Sequence, residues 1–188
     1  DGPSQQSVED FALMCSLPGF VVLNPADEIE TRLAVRAARD HYGPVYLRTC
    51  RPMVPRIYRE PFDYVIGRAN LLREGSDVTL AASGLMVAEA LKAAQILSER
   101  HSISARVLDF HTIKPLDRDA VADSALRTGA LVVAEEHLMN GGLGAAIAQA
   151  VAEIHPVPIE FVAIRNTYAE SGTPEDLFKK YHLTAEDI

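Results

Sequence analysis

Asp1-Gly2-Pro3-Ser4-Gln5-Gln6-Ser7-Val8-Glu9-Asp10 opens the chain with a turn, several polar side chains and a helix start. A Gly-Pro turn that opens a helix ordinarily follows a strand, and polar residues lining such a turn are ordinarily aimed at a ligand. The chain therefore reads as the second half of an α/β unit, beginning at or beside a site. An Asx-type turn with a helix N-cap accounts for the same residues locally. Position favours the site, because ligands of open parallel sheets sit in loops at the carboxyl ends of strands.

Outward from this turn, Val8 to Leu17 carries apolar residues at helical spacing, and Pro18-Gly19 stops it. A short buried strand is expected over Phe20 to Leu23, a helix over Ala26 to His41 and a strand over Val45 to Leu47. Two αβ units in succession imply parallel strands, since each crossover helix returns the chain to the same sheet. Prolines at 52, 55 and 61 break both periodicities, which places a linker at residues 59–63 between a first region, 1–58, and a second, 64–188. In the second region an edge strand is expected within Tyr64 to Arg73. Strands follow over Val78 to Ala82, Ala105 to Phe110, Ala130 to Glu135 and Ile159 to Ile164. Helices cover Leu85 to Arg100, Asp117 to Arg127 and the stretch from Gly141 through Ile154. Thr173-Pro174-Glu175-Asp176 combines an N-cap, a proline at the first helical position and acids in the first turn, so a short helix runs to Tyr181. The fold class is α/β: three-layer, mostly parallel sheets, with the second region a complete unit of that kind.

The 188 residues are 48% hydrophobic, enough for a core, and the net charge of −8 with no Lys or Arg run argues against nucleic acid. The longest apolar window, Ala81 to Ala94, is interrupted by Ser83, Glu89 and Lys92 and falls short of the roughly 20 residues of a membrane span. Cys15 and Cys50 stand far apart without ligand-spaced partners, so neither a disulfide framework nor zinc is indicated and a cytoplasmic location is the default.

Three stretches could carry chemistry. Asp1, Ser4, Gln5 and Gln6 can exchange hydrogen bonds with hydroxyls. Arg48, Arg51 and Arg56 follow the Val45–Leu47 strand, where a guanidinium could clamp a phosphate or sulfonate, or simply form salt bridges. Gly141-Gly142-Leu143-Gly144 opens a helix but lacks both the dinucleotide fingerprint and the P-loop Lys-Ser/Thr, so it reads as close packing. Glu135, Glu136 and His137 form no metal triad by spacing. No residue from 64 to 188 reads as catalytic.

Together with Asn24-Pro25-Ala26-Asp27-Glu28-Ile29-Glu30-Thr31, Gly43-Pro44-Val45-Tyr46-Leu47-Arg48, Glu135-Glu136-His137 before Gly141-Gly142-Leu143-Gly144, and Glu170-Ser171-Gly172-Thr173-Pro174-Glu175-Asp176-Leu177, the opening turn resembles the C-terminal subunit of split transketolases. The resemblance implies a thiamine-diphosphate enzyme: residues 1–58 are the tail of its pyrimidine-binding domain and 64–188 its C-terminal domain. The diphosphate-binding domain, with most ligands for the cofactor and its Mg, lies on another chain. It implies transfer of a two-carbon ketol unit from a ketose phosphate, or related sugar acid, to an aldose. The implied partners are that N-terminal subunit and a second copy of this one, in a heterotetramer.

Residue by residue, the family turn Asp-Gly-Pro-Thr-His-Gln lays Asp1 on an aspartate that contacts donor hydroxyls and Gln5 on a histidine near the donor's terminal hydroxyl. Gln can bond a hydroxyl but takes up no proton near neutral pH, so this departure implies an unusual donor or a displaced proton transfer. An Arg-x-x-x-Pro element lays Arg51 on the arginine that grips the sugar's terminal phosphate, with Arg48 the alternative. Two other readings remain: a 2-oxo acid dehydrogenase beta subunit or deoxyxylulose-phosphate-synthase-like enzyme, and a non-catalytic assembly module. An incomplete pyrimidine-binding region would expose apolar surface, so either further upstream residues or an extensive partner interface is expected to cover it.

Overall fold

The computed structural model describes residues 6–59 and 62–188. In chain order its elements are α1 (Asp10–Ser16), β1 (Val21–Leu23), α2 (Glu28–Asp40), β2 (Val45–Leu47), β3 (Asn70–Arg73), β4 (Val78–Ala82), α3 (Met86–His101), β5 (Ala105–Asp109), β6 (Thr112–Lys114), α4 (Arg118–Thr128), β7 (Leu131–Leu138), α5 (Leu143–Ile154), β8 (Ile159–Ile164) and α6 (Pro174–Lys180).

Strands β3-β5-β4-β7-β8 form a sheet, in that order, that is parallel except at β3. Successive strand side chains point to opposite faces, so an unbroken apolar strand needs cover on both. Leu80 and Ala82 of β4 pack with α3 residues Val87, Ala90 and Ala94 on one face. Ala81, between them, packs with Val121 and Ala125 of α4 and Leu143 and Ile147 of α5 on the other. The sheet is thus the middle of three layers, and each fully buried aliphatic contributes roughly 1.5–3 kcal/mol.

A smaller sheet, β2-β1-β6, carries α2 on one face through Val21, Leu23 and Ala34. Val22 turns the other way and joins Phe11 of α1 in the core of the large sheet. The β1–β2 pairing is parallel, in register Val21 with Val45 and Leu23 with Leu47. Strand β6 joins the two regions: the chain leaves the large sheet after β5, and β6 pairs antiparallel with β1, Val22 opposite Lys114 and Leu23 opposite Thr112. Two further joints reinforce it. The Asn24 backbone N–H donates to His111 O at 2.8 Å, and the Asn24 side chain donates to Ser83 Oγ at 3.0 Å.

Helix starts are fixed by side chains. Asp27 caps α2 by accepting from the Glu30 N–H at 2.9 Å, while the Glu30 carboxylate reaches back to the Ala26 N–H at 2.7 Å. Thr173 caps α6 by accepting from the Asp176 N–H, with Pro174 at the first turn. The expected strand within Tyr64 to Arg73 is confined to Asn70–Arg73 at the sheet edge.

The turn from β3 to β4 admits no side chain at Gly75, where a Cβ would lie 2.2 Å from the Ala105 carbonyl carbon. Gly75→Ala is expected to lower the unfolding free energy by on the order of 3 kcal/mol in a denaturant titration. Gly129→Ala, at φ 67° with open space around it, should cost only about 1 kcal/mol.

Candidate functional site

Strand β7 runs past its expected end at Glu135 and continues through Leu138, which sets the side chains of Glu135 and His137 on one side and Glu136 on the other. Glu135 points at the start of α5, where its carboxylate accepts from the N–H groups of Leu143 at 2.7 Å and Gly144 at 2.9 Å. A helix amino end offers unpaired N–H groups and partial positive charge, and here an internal carboxylate takes both. Burial pushes the Glu135 carboxyl up to about 7 even against these two donors. A Cβ on Gly142 would meet Glu135 Oε2 at 2.0 Å, and one on Gly144 would meet the Phe161 ring at 2.8 Å. The Gly-rich stretch is therefore a packed and internally neutralised helix start.

His137 is fully buried and stacks on Phe11 with ring centroids 4.9 Å apart. Its Nδ1 lies 2.6 Å from Leu138 O, and its Nε2 accepts from the N–H groups of Phe11 at 3.1 Å and Ala12 at 3.4 Å. This pattern fixes the neutral tautomer with the proton on Nδ1, and burial holds the imidazole pKa below its ordinary value. His137 thus caps α1, a role that its spacing in the sequence did not signal. The next residue, Leu138, donates its N–H to Val8 O at 2.7 Å.

Arg48 follows β2 and lies over the Phe11 ring, 4.7 Å from its centroid. Its side chain is only 16% exposed. The guanidinium donates to Glu136 O at 2.9 Å and to Ser7 O at 3.2 Å, and it pairs with the carboxylates of Asp10 at 3.5 Å and Glu136 at 3.4 Å. Tyr46 completes the group by donating its hydroxyl to Asp10 Oδ2 at 2.8 Å. Its four acceptors make Arg48 a clamp between segments. They also place the carboxyl end of β2 against the segment that continues the opening turn.

Asp1 and Gln5 lie outside the described residues. Arg51 is exposed in the loop after Arg48. Its neighbours Cys50 and Pro52 line an open groove of about 620 Å³ whose other wall includes Ala26, Asp27 and Thr31. The groove lies at the carboxyl ends of β1 and β2 and at the amino end of α2. Arg56 is paired with Glu28 on the groove's rim.

A second polar group is enclosed where the two sheets meet. Asp27 Oδ2 accepts from the N–H groups of Ile57 and Tyr58, and the Tyr58 hydroxyl donates to Asp109 Oδ2 at 2.8 Å. The Asp109 and Glu30 carboxyls lie close enough to repel one another when both are charged. Asn70 donates to both Glu30 and the Tyr58 oxygen. Burial, with mutual repulsion at Glu30, raises both carboxyls well above the ordinary carboxylate range, so the pair retains a proton at neutral pH. The sequence carried two signals for this pair: the Asp-x-x-Glu spacing at the start of α2, and an acid closing the otherwise apolar end of β5.

The profile of the transketolase C-terminal domain matches residues 67–188, and that of the transketolase pyrimidine-binding domain matches residues 1–56. The chain belongs to the transketolase family. Among its transketolase relatives, the 6-deoxy-6-sulfo-D-fructose transketolase subunit SqwH of Clostridium sp. (strain MSTE9) is 44% identical over all of this chain and 58% of its own length. An apulose-4-phosphate transketolase subunit of Phocaeicola vulgatus is 37% identical over all of this chain and 60% of its own. A solved split-gene transketolase, described as an inactive beta4 tetramer, superposes with a TM-score of 0.91 at 43% identity, covering 98% of this chain and 60% of that one. The chain thus spans about three-fifths of the length of these transketolase subunits.

Transketolases are thiamine-diphosphate dependent. The described residues do not fit the diphosphate end of that cofactor: the Gly-rich helix start is filled by Glu135. Among the described residues, no group of three or more His, Cys, Asp or Glu is placed to hold a metal ion. Nor is any helix among them long and apolar enough to cross a membrane.

The buried acids give this transketolase chain a defined pH response. Unfolded, Glu30, Asp109 and Glu135 lose their protons near the ordinary values of 4.5, 3.8 and 4.5; folded, they hold them to about 10, 7 and 7. Each raised carboxyl stabilises fully below its unfolded pKa and loses that contribution as pH rises through the folded value. His111, lowered by burial to about 4, acts oppositely and only below 6.5. Unfolding free energy should therefore fall between about pH 6.5 and 8.5 in denaturant titrations. Glu30→Gln, which keeps an acceptor for Ala26 and a donor toward Asp109, should flatten that slope.

Proposed function

We propose that the chain is the C-terminal portion of a two-subunit transketolase, which moves a two-carbon ketol unit from an anionic ketose to an aldose. The N-terminal partner subunit supplies the diphosphate-binding domain with thiamine diphosphate and its metal, and two copies of each subunit associate. Asp1 and Gln5 hydrogen-bond donor hydroxyls, and Arg51 grips the donor's terminal phosphate or sulfonate. One observation carries this reading: Arg48 bonds Ser7 O, which brings the arginine loop after β2 and the segment following Asp1 and Gln5 to one place. The groove beside Arg51 supports it, as do the sulfo-sugar and sugar-phosphate names of the relatives.

Within that site this chain binds and orients. A guanidinium beside a phosphate or sulfonate forms paired, charge-assisted hydrogen bonds. Gln5 can both donate to and accept from a hydroxyl but carries no proton through the reaction, so it fits a specificity role. Exposed Leu13 of α1, Leu17 just after it, Val35 of α2, and Met53 in the arginine loop offer apolar area for the partner subunits.

The test is a steady-state panel of ketose phosphates and a sulfonated ketose on the enzyme reconstituted from both subunits. Thiamine-diphosphate-dependent ketol transfer is expected, with none from this chain alone. Arg51→Ala should raise KM for anionic donors by about 10- to 100-fold, the value of a hydrogen bond to a charged group, and leave an unphosphorylated ketose unaffected. A wide preference for ordinary xylulose 5-phosphate would count against the unusual donor, and acyl transfer to lipoamide would replace the reaction class.

A further inference from the structure

The segment between the opening turn and α1 is held by the C-terminal half of the chain. Gln6 donates its side-chain amide to Glu170 O at 3.2 Å, in the loop after β8. Ser7 O accepts from Arg48, whose guanidinium is anchored on both the carbonyl and the carboxylate of Glu136. Val8 O accepts from the Leu138 N–H, and the amino end of α1 is capped by His137 Nε2. Residues 6, 7, 8, 11 and 12 thus have their polar anchors at the end of β7 or beyond β8, directly or through one guanidinium. Glu135 in turn fixes that strand end to α5.

We infer that Glu136, His137 and Leu138, acting through Arg48 and α1, are positioning elements that hold residues 6–12, the segment next in the chain to the donor-binding residues. This rests on the reading above that Asp1 and Gln5 contact the donor. Hydrogen bonds to a hydroxylated substrate discriminate only when their donors and acceptors are held in place, and a shift of about 1 Å can cost about a hundredfold in rate. Gln6 directly follows Gln5 in the chain, so anchors at residues 6 to 8 act at the nearest points to the turn. Arg48 suits the task because its planar fork reaches several acceptors at once, whereas a lysine ammonium is a point donor. Its packing over the Phe11 ring limits the paths its side chain can take. The C-terminal domain then serves the reaction without touching substrate.

The test uses the full-length subunit reconstituted with its partner and the variants Arg48→Lys, Glu136→Gln, His137→Phe and His137→Gln. Amide exchange over residues 6–17 is followed by mass spectrometry, with KM and kcat for a phosphorylated and an unphosphorylated ketose. Arg48→Lys and His137→Phe should speed exchange at residues 8–12 by about tenfold or more and raise KM for both donors alike. His137→Gln, whose amide oxygen can still accept from α1, should restore both. Should Arg48→Lys fail to fold, Glu136→Gln, which leaves the carbonyl anchor in place, carries the same comparison with a smaller effect.

A KM rise confined to the phosphorylated ketose would overturn the inference and make Arg48 a direct anion ligand. Unchanged exchange, or faster exchange with unchanged KM, would overturn it too. A wild-type enzyme that binds the ketose without transferring a ketol unit would sink the functional reading instead, and exchange with ketose affinity would then decide this one.

Discussion

One buried guanidinium joins three parts of the chain that sequence separates widely. Arg48 closes the contact among Ser7, Asp10 and Glu136, and the Phe11 ring beneath it screens the charges. Breaking such a group on one side leaves buried charge without compensation, which costs far more than the pair's net stabilisation. The arrangement therefore resists piecemeal loosening. It connects the carboxyl end of β2 and the entry to α1 with the end of β7.

Beyond Asp10, which the clamp itself pairs, the buried acids are accommodated in two ways: by backbone N–H donors or by retained protons. Glu135 takes the first course at α5 and Asp27 does so at α2 and the Ile57–Tyr58 backbone. Glu30 takes the second, facing Asp109 where no cation compensates them. Both arrangements lie at the meeting of the two sheets, so polar chemistry specifies how the halves fit while aliphatic side chains supply most of the cohesion.

Much of this was legible in the chain itself. Uninterrupted apolar strands alternating with amphipathic helices gave the three layers, and Thr173-Pro174 with acids behind it gave α6. Local rules succeeded there because the deciding contacts lie within a few residues. They failed at β6, whose three residues have no pattern of their own and become a strand only by meeting β1. They failed likewise at the end of β7: Glu136 and His137 read as structural or unremarkable, and their partners, Arg48 and Phe11, lie 88 and 126 residues away in the sequence. For the arginines, spacing left Arg48 and Arg51 interchangeable; in the fold Arg48 bonds acceptors on three segments, and Arg51 lies exposed in the loop beside the groove.

The short strand β6 also bears on how such a polypeptide can be divided. It completes the small sheet from within the later half, so a gene fission placed between the halves would strip β1 of one neighbour and open an adhesive edge on each product. The proline-rich connection that looks like the natural seam is therefore bridged a second time, by three residues of hydrogen-bonded strand.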